Sequence, residues 1–336
     1  MRYKLLFGAI IALLPAYSGY WYFIAGQIRD ATDTFKSDIA EEGVELQFTA
    51  KTVSGFPYRL ILDYENPSMS GPGWSWQAPK VKAFAQPYDL TRYIISAPGP
   101  HQVELISPGG FPTRITLAAE SARASLDYTN QSQLKQVDVD IQSLTYRNIL
   151  AELGLEADRL QIHLRPTPDS DQNTPNSSLD LAFKTDDLKL PNVSLTSLLG
   201  QEVRLMQFTL TLHGISSIEA LGLLPVLLEN GQNVRLAINE AGLIWGTLNL
   251  TAKGELALDD FNRPEGEIQL TISGHEEFVN RLESAGLIKP GIAGTARATL
   301  GALAAMNNGK AIVTITFREG LASAGLLRLG ELTPLF

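Results

Sequence analysis

A period-two alternation of apolar and polar residues restricts the fold of this chain more than any other feature of its sequence. Because successive side chains of a strand point to opposite faces, each run predicts an antiparallel strand with one buried and one solvated face. The runs are separated by turn-forming Gly, Pro, Asn and Asp, and the clearest lie at 44–48, 58–64, 103–105, 115–117, 122–128, 137–141, 160–164, 179–183, 208–212, 234–238 and 311–317. They predict a mainly β protein of large curved antiparallel sheets with a few packed amphipathic helices.

The N-terminus carries a different signal. Arg2 and Lys4 precede a run over residues 5–26 that contains no formal charge. A helix of that length, at about 1.5 Å per residue, crosses a hydrocarbon core of roughly 30 Å. The aromatic residues in its distal half resemble an interfacial belt; they are Tyr17, Tyr20, Trp21 and Tyr22. The run predicts a single-pass inner-membrane anchor over residues 1–26, with a cytoplasmic N-terminus and a periplasmic body.

A cleaved signal peptide is the competing interpretation of this segment, because Ala16, Tyr17 and Ser18 form a small-residue cleavage site. The apolar run continues past that site to Ala25, which favours a retained anchor. Residues 27–43 predict a short stalk or linker helix that ends at Gly43, with an apolar stripe that includes Ile28, Phe35 and Ile39.

The body of the chain divides at one polar stretch. Residues 166–179 are rich in Pro, Ser and Asp and predict a linker or loop between a first β subdomain (44–165) and a second β subdomain with helices (180–336). A long hairpin loop within a single sheet fits the same stretch, so both alternatives stay open. The predicted helices of the second part follow capping boxes at Ser216/Glu219 and Ser273/Glu276, or begin at Pro290.

Charge and cysteine content exclude several classes of protein. The chain has 27 Lys and Arg against 36 Asp and Glu, a formal net charge of −9, which argues against a nucleic-acid partner. It contains no cysteine, so disulfides, thiol catalysis and cysteine-ligated zinc are excluded.

Candidate catalytic or metal-binding residues all have simpler structural explanations. His163 and His213 lie on the polar faces of predicted strands, and His101 lies in a turn. Three further candidate groups are His275 with Glu276 and Glu277, the Asp138/Asp140 pair, and the Trp74/Trp76 pair that could form a sugar or lipid platform. Helix capping, a solvated strand face and core packing explain these groups better. No nucleophile elbow, phosphate-binding loop or H-E-x-x-H spacing occurs, so no catalytic residue, cofactor or metal ligand is assigned.

The stretch GELALDDFNRPEGEIQL at 254–270 resembles a metal site or a glycosidase cleft at first reading. Its polar residues are Asp259, Asp260, Asn262, Arg263 and Glu265. The flanking apolar residues alternate in register with one another, and Asp, Asn, Pro and Gly favour turns. This pattern predicts a hairpin with a charged tip and no active site.

Three stretches together resemble the domain-of-unknown-function family 2125 of alphaproteobacterial membrane-associated proteins. They are GFPYR at 55–59, the segment 241–274 and the closing GLLRLGELTPLF at 325–336. Family members usually have Gly-Arg-Pro where this chain has Asn262, Arg263 and Pro264. The resemblance implies an N-terminal apolar segment and an exported β-rich body, and it supplies no activity or functional residues. A more distant resemblance links the chain to AsmA-like envelope proteins associated with lipid traffic.

These features favour a non-enzymatic protein of the cell envelope that holds or guides lipid on an apolar curved sheet. The alternative is an envelope scaffold that binds another protein through sheet edges or loops. An envelope hydrolase that uses the acidic turns is the third hypothesis.

Overall fold

The computed structural model describes residues 2–106, 110–148, 150, 152–168, 177–190, 199–218, 220–221, 234–325 and 327–335. Within them the protein is mainly β, with twenty strands and three α-helices. The helices are α1 (Arg2–Glu41), α2 (His275–Ser284) and α3 (Pro290–Met306). The strands are β1 (Glu45–Gln47), β2 (Ala50–Ser54), β3 (Leu60–Glu65), β4 (Ser68–Gly71), β5 (Trp74–Gln77), β6 (Lys80–Gln86), β7 (Asp89–Ser96), β8 (His101–Ile106), β9 (Pro112–Ala118), β10 (Ser121–Tyr128), β11 (Leu134–Asn148), β12 (Leu153–Pro166), β13 (Ser178–Lys189), β14 (Glu202–His213), β15 (Arg235–Trp245), β16 (Leu248–Leu258), β17 (Pro264–Ser273), β18 (Ala311–Arg318), β19 (Leu321–Ala324) and β20 (Leu327–Glu331).

The chain forms two compact units. Unit 1 comprises Met1–Ser132 and Tyr146–Ala151, and unit 2 comprises Gln133–Thr145 and Glu152–Phe336. Strand β11 contributes residues to both units, whereas the sequence pattern predicted a linker or loop at 166–179. Part of that polar stretch, 169–176, lies outside the described residues.

Unit 1 combines α1 with two antiparallel ladders of five short strands. One ladder has the order β2–β3–β6–β7–β10, and the other has the order β1–β4–β5–β8–β9. Cross-strand pairs such as Leu62 with Ala83 and Tyr93 with Leu126 place the alternating apolar residues of the first ladder on one face. That face packs against α1 through a cluster of Trp21, Ile24, Ala25, Leu60 and Ala85.

This packing corrects the prediction of a transmembrane helix over residues 5–26. The predicted anchor and stalk are parts of one helix that ends before Gly43, whose φ is 80°. Trp21, Ile24 and Ala25, at the distal end of the predicted span, are buried against the protein's own sheet. Among the described residues, no helix is both long enough and apolar enough to cross a membrane.

Unit 2 is a meander in which each strand from β12 to β20 pairs antiparallel with the next. Helices α2 and α3 lie between β17 and β18 in the chain. Phe278 and Leu282 of α2 pack on a cluster formed by Leu199, Val203, Trp245 and Leu248. A second cluster joins Leu179, Ile215 and Ile218 to neighbouring strands.

The predicted helices are confirmed in part. Helix α3 begins at Pro290 and ends just before the predicted Asn-Asn-Gly stop. Helix α2 begins one residue after the position that the Ser273/Glu276 capping box predicted, because left-handed Gly274 occupies the N-cap position and no side chain caps the helix. The apolar helix predicted after Ser216 falls mostly at 219 and 222–233, outside the described residues.

Candidate functional site

The GFPYR motif forms the turn on which α1 docks. Gly55 has a φ of 101°, and a Cβ atom there would lie 2.8 Å from the carbonyl oxygen of Arg59. The Arg59 N–H donates to the carbonyl oxygen of Gly55 at 3.0 Å, which closes the turn. A side chain at position 55 is therefore disfavoured both by space and by backbone conformation.

Aromatic side chains of α1 are the groups that hold the helix on this turn and on the neighbouring β6–β7 turn. Three of them donate hydrogen bonds to backbone carbonyl oxygens: Tyr17 to Pro57 (2.6 Å), Tyr20 to Pro87 (2.7 Å) and Trp21 to Arg59 (2.9 Å). The ring of Trp21 also packs edge-on against Phe56. The residues that resembled an interfacial belt therefore fix the helix to its own β unit.

Farther along α1, the helix and the two ladders of unit 1 enclose an apolar groove of about 510 Å³. The helix contributes Ile28, Ala31, Thr32 and Phe35, and the strands and turns contribute Leu46, Tyr64, Pro67, Met69, Trp76, Val81, Tyr93 and Ile95. A second hollow of about 700 Å³ shares Phe35, Tyr93 and Ile95 and extends toward Leu126 and Tyr128. The two hollows form one trough, which we call the α1 groove.

Two hydroxyl groups in the α1 groove, those of Thr32 and Tyr64, are hydrogen-bonded within the protein. The Thr32 hydroxyl donates to the carbonyl oxygen of Ile28 at 3.0 Å and lies 2.9 Å from the Tyr64 hydroxyl. Burial raises the pKa of Tyr64; the hydrogen bond with Thr32 opposes this shift, and the charge of Asp33 adds to it. Burial likewise raises the pKa of Tyr93, with smaller contributions from Tyr128 and Asp89. Both phenols are therefore neutral at physiological pH, and the groove presents an apolar wall.

An ion pair holds the last part of the helix over the groove. The Lys51 ammonium lies 2.6 Å from the Asp33 carboxylate and donates to the carbonyl oxygen of Arg29 at 3.1 Å. It also lies 5.8 Å from the centre of the Phe48 ring. This cation joins α1 to β2 at the rim of the groove.

The hairpin prediction for 254–270 is confirmed. Strands β16 and β17 pair from Asn249/Ser273 to Leu258/Pro264, so Asp259 and Asp260 lie at the tip, while Glu265 lies in β17. The Asp259 carboxylate accepts from the backbone N–H of Phe261 and Arg263, both at 2.9 Å, and from the Arg263 guanidinium at 2.7 Å. The side-chain bond with Arg263 is the main reason that the pKa of Asp259 is lowered. These contacts make Asp259 part of the turn.

The C-terminal motif of the predicted family meets the same tip. The Leu335 N–H donates to the Asn262 carbonyl oxygen at 3.0 Å, and the Leu332 N–H donates to Gly320 at 2.8 Å. Two of the three stretches that carried the family resemblance are therefore in contact, while the third holds α1.

The histidine candidates are not brought together. His163 pairs with Asp138 at 2.7 Å, His213 contacts the Ser178 hydroxyl at 2.8 Å, and His101 contacts the Ala97 carbonyl oxygen at 2.7 Å. The Nδ1 of His275 is buried without a hydrogen-bond partner among the described residues, and Glu277 pairs with Arg281. In that part of the chain no three His, Asp or Glu residues are placed to hold a metal ion.

Some groove residues could be identified from the sequence, and others could not. Ile28 and Phe35 lie on the predicted helical stripe, and Trp76 belongs to the predicted tryptophan pair. Met69 and Tyr93 have no local signal, because only the pairing of distant strands brings them to the groove.

Comparison with known proteins gives one match. No curated protein and no solved structure matches the chain. The family model described as an uncharacterized protein conserved in bacteria (DUF2125) matches residues 21–333, and the chain therefore belongs to the DUF2125 family.

Proposed function

We propose that this protein is a non-enzymatic lipid-binding protein of the bacterial cell envelope, and that the α1 groove holds an acyl chain. The groove itself is the observation that carries the proposal. Its two hollows, of about 510 and 700 Å³, each fall within the roughly 300–1,000 Å³ typical of small-ligand pockets. Most residues that line the smaller hollow are aliphatic or aromatic, and the Thr32 and Tyr64 hydroxyls lie within hydrogen-bonding distance of each other, which suits a long apolar ligand.

The shape of the groove also supports an extended ligand. The trough runs from the Leu46 and Met69 side to Leu126 and Tyr128, across the apolar faces of several strands. A linear chain can follow such a path, whereas a compact ligand would fill only one hollow. We propose that the ligand lies along the trough beneath Phe35.

Exposed apolar and aromatic residues near the contact between α1 and the GFPYR turn support a position of unit 1 at a lipid surface. Leu13, Leu14, Tyr22 and Phe23 of α1 are exposed, and Tyr22 stacks on exposed Phe56 of the GFPYR turn. Aromatic residues with polar edges favour the boundary between water and lipid. We propose that this end of unit 1 rests on the inner membrane from the periplasmic side, which would place the groove within reach of lipid.

A fluorescent fatty acid tests the proposal. The purified full chain is titrated with cis-parinaric acid, and saturable fluorescence enhancement is expected. Ala31→Trp places a large ring in the groove and should lower affinity about tenfold or more, because it fills the space that the ligand needs. Ser37→Trp changes an exposed position of the same helix and is the matched control. Absence of saturable binding, or equal affinities for the two variants, would refute acyl-chain binding.

A scaffold is the second candidate function, and one strand edge favours it. Every residue of β20 is exposed, Leu327 and Leu329 among them, and in the described part of the chain β20 pairs with β19 alone. Such an edge can accept a strand from another protein. Photocrosslinking from position 329 in cells would capture a defined protein partner under this hypothesis, and exposed Arg235 of β15, a strand paired on both sides, provides the control site.

A further inference from the structure

A second cavity lies on the opposite face of the same ladder. It has a volume of about 550 Å³ and is lined in part by Arg92, Ile94 and Ser96 of β7. Tyr93 and Ile95, which alternate with them, line the α1 groove. Because neighbouring residues of a strand point to opposite faces, the two sites are separated by the sheet.

Three arginines line this cavity, which we call the arginine cavity. Arg92 is neutralised, because its guanidinium binds both oxygens of Asp127 at 2.8 and 2.6 Å. No ion pair joins Arg59 or Arg123 to a carboxylate anywhere in the described part of the chain. Both residues are exposed and line the cavity.

The one carboxylate among the described lining residues is engaged in its own turn. Asp89 accepts from the Thr91 hydroxyl at 2.6 Å and from the Thr91 N–H at 3.1 Å. These bonds satisfy Asp89 locally, so it does not bridge to Arg59 or Arg123. Asp89 keeps its negative charge, but the three arginines outnumber the two carboxylates, Asp89 and Asp127, so the cavity has an excess of positive charge.

Apolar and aromatic groups complete the cavity. Phe84 and Ile94 are directly opposite each other on β6 and β7 and form an apolar floor, with Ile94 44% exposed. Tyr58 and Tyr88 are 79% and 72% exposed at the rim. Exposed apolar groups next to free guanidinium groups suit a ligand that has both an anion and an apolar part.

We propose that the arginine cavity binds a phosphate-type anion, held by Arg59 and Arg123, with the apolar portion of the same ligand lying on Phe84 and Ile94. Guanidinium groups bind phosphate oxygens through two parallel hydrogen bonds, which favours phosphate monoesters and diesters over chloride. Both a phospholipid headgroup and a soluble phosphate ester have this chemistry. The assignment is independent of acyl-chain binding in the α1 groove.

Native mass spectrometry of the full chain in a nonionic maltoside detergent separates the two sources. The chain is titrated with dioleoyl phosphatidylglycerol and with dioleoyl phosphatidylcholine, and calorimetry measures glycerol 3-phosphate and inorganic phosphate. Tighter binding of phosphatidylglycerol than of the other three probes assigns the site to a lipid headgroup. Equal or tighter binding of glycerol 3-phosphate assigns it to a soluble ester.

Variants locate the binding. Arg59→Gln with Arg123→Gln should weaken binding of the preferred probe about tenfold or more while phosphatidylcholine binding stays unchanged. Arg114→Gln removes an exposed arginine of the same unit that pairs with Glu104, and it should have no effect. The two single variants keep the test valid if the double variant fails to fold, as checked by far-UV circular dichroism. Wild-type affinity in the arginine variants, or equal binding of phosphatidylglycerol and phosphatidylcholine with no binding of the soluble anions, would overturn the proposal.

Discussion

Unit 1 and unit 2 are built from the same kind of amphipathic antiparallel strand, but they cover the apolar faces of those strands differently. In the described part of unit 2, neighbouring strands and α2 cover these faces with their own side chains: Phe183 stacks on Phe208 at 5.0 Å, and Phe278 packs on the cluster that contains Trp245. In unit 1, a long helix docks at one end through Trp21 and spans the rest with fewer contacts, which leaves the α1 groove. The difference shows that an amphipathic strand pattern specifies a face to be covered and leaves open whether the cover is complete.

The charged faces of the two units are similar, apart from one cavity in unit 1. Unit 2 lines its solvated strand face with ion pairs between neighbouring strands, such as Arg159 with Asp140 at 2.6 Å and Arg235 with Glu255 at 3.2 Å. Unit 1 has similar pairs, such as Arg114 with Glu104 at 3.1 Å, but it also places Arg59 and Arg123 beside a cavity. Exposed ion pairs contribute little to stability, whereas the excess of positive charge beside the arginine cavity favours binding of an anion.

The largest expected effect comes from one buried tryptophan in each unit. Trp21 and Trp245 each donate a hydrogen bond to a backbone carbonyl oxygen, at 2.9 and 2.8 Å, and both are buried. Replacement of either by Ala should lower the free energy of unfolding by about 3–5 kcal/mol, measured by urea denaturation. Only Trp21→Ala should also abolish cis-parinaric acid binding, because it releases α1.

Binding of cis-parinaric acid is compared under conditions where both variants remain folded by circular dichroism. If Trp21→Ala and Trp245→Ala then lost binding equally, binding would not depend on how α1 covers unit 1. Phe23→Ala, at an exposed position of α1 two residues from Trp21, is the control and should have a much smaller effect.

The next effect compares one ion pair in each unit. Lys51, whose side chain is 10% exposed, joins Asp33 and the end of α1, whereas Arg235 and Glu255 are both largely exposed. Lys51→Met should lower unfolding free energy by about 1 kcal/mol, and Arg235→Met should lower it by less than about 0.5 kcal/mol. Thermal unfolding at low and high salt measures both. Equal losses would show that the contact under α1 is no stronger than a solvated pair.

Much of the fold follows from local sequence, because the strand period, the hairpin at 254–270 and the start of α3 depend on neighbouring residues. The α1 groove does not, since Tyr93 and Met69 reach it only through pairings between distant strands. The N-terminus shows a different limit. At a membrane surface, a tyrosine such as Tyr17 places its ring among apolar groups and its hydroxyl on a polar partner. It does the same on the GFPYR turn, where its hydroxyl donates to Pro57, so its sequence environment fits both a membrane anchor and a docked helix.

Alkaline pH should lower the stability of unit 1 more than that of unit 2, since all ten tyrosines lie in unit 1. The pKa of Tyr64 is raised in the folded state, mainly by burial, so its neutral form stabilises unit 1. That contribution is complete below the unfolded pKa of about 10 and is lost as pH rises through the folded value. Tyr64→Phe should therefore reduce the fall in Tm between about pH 9 and pH 11. Tyr58→Phe, at an exposed position, is the control, and an equal response would contradict the role of burial.

The smallest effect concerns the hairpin tip of unit 2. The pKa of Asp259 is lowered from 3.8, chiefly by the bond from Arg263, so its ionised form stabilises the folded state at neutral pH. That contribution is present above the unfolded pKa and is lost as pH falls through the folded value. Asp259→Asn should lower Tm slightly at pH 7 and leave it unchanged at strongly acidic pH, while Asp260→Asn should have no effect at either. Because Asp259 is held in the turn, neither variant should change binding of cis-parinaric acid. If Asp259→Asn lost binding of cis-parinaric acid, the binding site would lie at the hairpin tip of unit 2 and not in the α1 groove of unit 1.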